Sequence, residues 1–176
     1  MALLEIKYDP DPILREKAKR IKTFGANLRK LAADMFETMH ATNGVGLAAP
    51  QIGQSIRLFV AELKPNPKEG ERGFKIALCN PEIVKTSDEL VSDYEGCLSI
   101  PGWIAEVPRH SSVTVKGQTP EGKEVRIKAD DYYARVLQHE IDHLNGILFT
   151  ERVVDIRTLR KLDPRTGEEE QQLLEV

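Results

Sequence analysis

A His-Glu-x-x-His pattern constrains this chain more than any other feature, because it needs a helix to work. His139-Glu140-Ile141-Asp142-His143 places two imidazoles four residues apart, which puts both on one helical face within reach of one ion. The surrounding segment suits a helix that runs to about Leu144. Val136, Leu137, Ile141 and Leu144 fall three or four apart, Asp130 or Asp131 can cap its start, and Asn145-Gly146 can end it. Glu140, beside the first imidazole, can take a proton from a water activated by the ion.

Two imidazoles do not complete a catalytic metal site, which usually has three protein ligands and one open position. Three sources of a third ligand can be compared. A protease pattern that continues to Gly-x-x-His matches here through Gly146 and then meets Phe149, which cannot ligate. A glutamate from a later helix would have to be Glu151 or one of the tail glutamates 168–170 and 175, with little room for a supporting helix. The remaining source is Cys97, in Glu95-Gly96-Cys97-Leu98-Ser99, a thiol with polar and glycine neighbours. The other cysteine, Cys79, follows Ile76-Ala77-Leu78 and reads as a buried small hydrophobe.

The rest of the chain reads as one domain over 1–176. A short helix is expected over 13–21. A clearly amphipathic one is expected over 27–40, where Leu28, Leu31, Ala32, Met35, Phe36 and Met39 recur at helical spacing before Asn43-Gly44. β-rich segments follow at 56–63, 76–79, 82–91, 104–107, 112–117 and 123–129, with Pro120-Glu121-Gly122 as a hairpin connection between the last two. The expected class is α+β: mostly antiparallel strands around a central metal-binding helix, with an N-terminal amphipathic helix. The acidic end, 163–176, reads as a frayed tail or a short terminal helix. The net charge of −3 gives no general basic field and argues against direct nucleic acid binding. No apolar run approaches a membrane span, and the start has no basic region leading into one. A cytoplasmic protein is expected.

A third element is the loop Gly44-Val45-Gly46-Leu47-Ala48-Ala49-Pro50-Gln51. Two glycines at alternate positions let a backbone approach a substrate closely, and Gln51 can offer an amide donor to a developing oxyanion. This loop, the segment Glu95 to Ser99 and the segment Gln138 to His143 resemble, in order and spacing, the three signature motifs of peptide deformylases. Asp11-Pro12-Ile13-Leu14-Arg15 and Val107-Pro108-Arg109 resemble that family too, so the likeness spans nearly the whole chain.

The resemblance implies removal of the formyl group from the initiator methionine of new bacterial-type polypeptides, with nascent chains at the ribosome as substrates. It implies Cys97, His139 and His143 as metal ligands and Glu140 as the proton carrier. Gln51 and the backbone N–H of Leu98 would hold the tetrahedral oxygen. It favours Fe²⁺ as the native ion, and the donor set also suits Zn²⁺, Ni²⁺ or Co²⁺. Val45 and Val136 would line a methionine pocket, Gly44 to Gly46 would pair with the substrate backbone, and Trp103 and Ile104 would form part of the rim. Glu95 is a candidate acceptor for a ligand imidazole, and Asp142 is expected to pair with Arg109. Two other readings explain less. A zinc endopeptidase leaves Cys97 and the 44–51 loop without a role. A structural metal site would need a fourth closed ligand.

Overall fold

The computed structural model describes residues 3–65 and 73–162, so the expected tail over 163–176 lies outside them. A five-stranded antiparallel sheet has the order β1-β2-β3-β6-β7: β1 (Gly46–Ala48), β2 (Leu58–Leu63), β3 (Phe74–Thr86), β6 (Ser112–Gln118) and β7 (Glu124–Asp130). A three-stranded sheet has the order β4-β5-β8: β4 (Leu90–Cys97), β5 (Ile100–His110) and β8 (Arg160–Lys161). Helix α1 is Ala26–Ala41 and helix α2 is Asp131–Leu144. The α+β class is as expected, with α2 at the centre.

α2 is central because most of its circumference is covered. Its residues Ala134, Val136, Leu137, Ile141 and Leu144 join one apolar cluster with Phe59, Leu78, Val113 and Val115 of the larger sheet. Its polar residues Arg135, Gln138, Glu140, Asp142 and His143 are buried as well, which is uncommon and requires partners. β5 supplies several of them. Alternate residues Ala105, Val107 and Arg109 are buried along this strand, so its period of two carries a guanidinium inward with the apolar side chains.

Both helices stop as the sequence suggests. Asn43, at φ 55, follows α1; its N–H bonds His40 O and that of Gly44 bonds Met39 O. Gly146, at φ 74, follows α2; its N–H bonds His143 O and that of Ile147 bonds Asp142 O. Each is a Schellman ending. Gly146 is doubly constrained, since a Cβ there would lie 2.5 Å from the backbone oxygen of Arg15. Gly146→Ala is expected to cost about 3 kcal/mol, lowering Tm by about 6–12 °C in a thermal melt; an unchanged Tm would contradict this packing.

Some boundaries differ. The helix expected over 13–21 is only a 3-10 turn, Pro12–Arg15. Beyond it the backbone donors are taken elsewhere: Ala18 N–H bonds Leu144 O, Lys19 N–H bonds Ser55 O, and Ile21 N–H bonds Asn80 Oδ1. The segments 76–79 and 82–91 are not two separate strands. β3 runs through Asn80-Pro81 by a register shift between Cys79 and Glu82, the position where a strand tolerates proline. Strand 104–107 extends to Ile100–His110. Asp130 occupies the α2 N-cap position without a side-chain capping bond.

Candidate active site

Three chain segments meet beside α2. β4 ends on Cys97, and Leu98-Ser99 turn the chain into β5. His139 and His143 project from α2 at i and i+4. The ligand atoms of Cys97, His139 and His143 all lie within 4.8 Å of one another. Cys97 Sγ is 3.3 Å from His143 Nε2, and the two Nε2 atoms are 3.2 Å apart. A tetrahedral ion with ordinary zinc-type bond lengths needs about 3.3 Å between nitrogens and about 3.6 Å from sulfur to nitrogen. The donor set therefore fits a single metal ion.

The charges fit as well. Burial pushes the Cys97 thiol up, but the neighbouring imidazoles of His143 and His139 outweigh it and bring it down to about 5, the range of a thiolate ligand. Burial disfavours a charge on His139, yet Cys97 and Glu95 hold its pKa well above the usual imidazole range. The cluster thus demands positive charge at this point. A divalent ion would meet that demand with both imidazoles neutral.

His139 is oriented from behind. Its Nδ1–H donates to Glu95 Oε2 at 2.9 Å, which turns Nε2 toward the cluster. Glu95 also accepts two bonds from Arg109, at 2.8 and 2.9 Å, and one from Arg135 at 2.9 Å. Burial raises the Glu95 carboxyl, and Arg109 and His139 overcome this to hold it near 2. The expected pairing of Asp142 with Arg109 is present, and Arg152 joins it at 2.8 Å. Neither Arg135 nor Arg152 was singled out in the sequence.

Glu140 is buried to 4 % exposure. Burial pushes its carboxyl up to about 7, with His139 and His143 pulling the other way. Its Oε2 has no hydrogen-bond partner among the described residues, and the same holds for His143 Nδ1. A buried acid with a raised pKa and a free oxygen is equipped to carry a proton.

Gln51 is also buried. Its Oε1 accepts from Ala48 N–H at 2.8 Å, while Nε2 donates to Ser99 Oγ at 3.1 Å and lies 3.5 Å from Cys97 Sγ. Its amide donor is thereby aimed at the cluster. Ser99 was read in the sequence only as the end of the cysteine motif, with no role of its own. Cys79 is fully buried away from this cluster, and burial pushes its thiol up to about 12.

A cleft of about 570 Å³ opens over these groups. Gly44, Val45, Gly46, Gly96, Leu98 and Val136 line it with His139 and Glu140. Trp103 and Ile104 line it too, with Tyr8, Tyr94 and Tyr132, which sequence reasoning did not flag. The expected catalytic, substrate-binding and metal-ligand residues line this cleft, apart from His143, which is buried beside Cys97 and His139.

A family model described as polypeptide deformylase matches residues 3–158. The peptide deformylase of Thermomicrobium roseum is 51% identical over 161 residues, covering 91% of each chain. The crystal structure of peptide deformylase from Thermotoga maritima superposes with a TM-score of 0.80 at 40% identity, covering 88% of this chain and 100% of that one. A class I type b peptide deformylase from Acinetobacter baumannii, solved with Met-Ala-Ser bound, gives a TM-score of 0.79 at 37% identity, covering 86% and 99%. The chain belongs to the polypeptide deformylase family, metal-dependent hydrolases that remove the N-formyl group from nascent peptides.

Proposed function

We propose that this deformylase holds one divalent ion on Cys97, His139 and His143, and that Glu140 carries the proton in hydrolysis of formyl-methionyl peptides. The convergence of one thiol and two Nε2 atoms beside a buried, raised-pKa glutamate carries this reading. When bound, the ion supplies a Lewis acid that acidifies water and polarises the formyl carbonyl. Glu140, ionised, takes a proton from the attacking water and returns it to the amine as formate leaves. The Gln51 side-chain amide and the Leu98 backbone N–H donate to the oxygen that becomes negative as the formyl carbon turns tetrahedral. The methionine side chain fills the apolar part of the cleft beside Val45 and Val136. The peptide runs extended against Gly44 to Gly46.

Fe²⁺ is the proposed native ion, with Zn²⁺, Ni²⁺ or Co²⁺ as replacements on the same donors. The proposed substrates are nascent chains at the ribosome in the cytoplasm. Among the described residues, no helix is long and apolar enough to cross a membrane. Formate release from an N-formyl-Met tripeptide, by protein purified without oxygen, tests the reading against an N-acetyl control. No release from protein carrying one ion per chain would overturn it. Gln51→Leu is expected to lower kcat about 10²-fold, because the Leu98 N–H remains as a donor. A loss confined to KM would remove Gln51 from the oxyanion role.

A further inference from the structure

Arg135 stands one helical turn before His139, so its side chain lies on the same face of α2. It is only 5 % exposed, and both of its terminal nitrogens bond to the smaller sheet. Nη1 donates to Glu95 Oε1 at 2.9 Å and to Val107 O at 2.7 Å, and Nη2 donates to Val91 O at 2.7 Å. A carboxylate offers about four lone-pair sites. On Glu95, Arg109 occupies two of these, His139 one, and Arg135 the last. Arg135 thus completes the set of donors around the group that turns His139 Nε2 toward the cluster. Its other bonds tie it to β4, the strand that carries Glu95, and to β5, the strand paired with it.

We infer that Arg135 is a positioning residue for the metal site: it locks the Glu95 carboxylate in the one orientation that presents His139 to the ion. Without it, Oε1 keeps an unfilled site, the carboxylate can rotate toward another donor, and His139 loses its fixed aim. This rests on the metal-site reading above, and the two fail differently. A wild-type chain that binds no stoichiometric ion defeats that reading, whereas an Arg135 variant with unchanged affinity defeats only this one.

The test is the affinity for Co²⁺ by chelator competition, with the visible spectrum of the bound cobalt as a report on ligand geometry. Arg135→Met, similar in length and apolar, is expected to weaken Co²⁺ binding about 10–100-fold and to shift the cobalt bands. Arg135→Lys keeps one donor for Glu95 but gives up the fork to Val91 and Val107, and is expected to retain most of the affinity. In a Glu95→Gln background, Arg135→Met is expected to cost less than about 2-fold more, since the two residues act through one bond. Equal losses for Lys and Met, or additive losses in the double variant, would show a strand clamp that acts independently of Glu95 and would overturn the proposal.

Discussion

Glu140→Gln is expected to lower kcat for formyl-peptide hydrolysis by about 10³–10⁴-fold, leave KM within about 3-fold, and keep one ion per chain. The amide is nearly the same shape but cannot take a proton from water or hand one to the leaving amine. The ligand atoms belong to Cys97, His139 and His143, so the metal content should not follow the activity. Steady-state kinetics on the metal-loaded variant, with metal analysis of the same sample, decides the matter. Turnover within 10-fold of wild type would remove Glu140 from the proton-carrying role.

The same substitution should stabilise the ion-free protein, and the sign depends on pH. Burial raises the folded-state pKa of Glu140 from 4.5 to about 7. Between those values the folded state binds more protons than the unfolded state, so stability falls as pH rises through this window. Above it the cost of the buried charge is on the order of 3 kcal/mol. Chelated Glu140→Gln should therefore melt higher than chelated wild type at pH 8, with a smaller difference at pH 5. This is the cost in stability of keeping an ionisable group where the chemistry needs it.

Much of this site was legible because its chemistry is written in residue type and short spacing. His139, Glu140 and His143 lie within one helical turn, and the helix has strong periodicity and a Gly146 stop. Cys97 was harder, since nothing local links residue 97 to residue 139; its position required β4 to end against α2. Arg135 and Arg152 were not legible, because a sequence does not show which side of a helix is closed over by a second sheet. The strand boundaries failed for a related reason. Asn80-Pro81 is locally a break, and only pairing with β6 carries β3 across it. The short helix expected after Pro12 lost its backbone donors to Leu144, Ser55 and Asn80, all distant in sequence.

Gly46→Ala should approach the loss caused by Glu140→Gln, about 10³-fold in kcat, although residue 46 supplies no side chain to the chemistry. A Cβ at 46 would lie 2.2 Å from Glu140 Oε1, 2.7 Å from Cδ and 3.0 Å from Cγ, all well inside the ~3.5–4.0 Å of ordinary contact. The backbone cannot yield easily, because Gly46 pairs with Ala61 in the β1–β2 ladder and Val45 O accepts from Glu62 N–H at 2.9 Å. Glu140 must therefore move, and displacement of about 1 Å at a proton carrier is already worth about 10² in rate. Folding should suffer less, by about 1–3 kcal/mol of overpacking, and the ion should be retained. In a Glu140→Gln background the methyl group should cost little further activity, because the group it displaces no longer works. If Gly46→Ala alone keeps activity within 10-fold of wild type, the close approach of this loop to Glu140 is not what the reaction depends on.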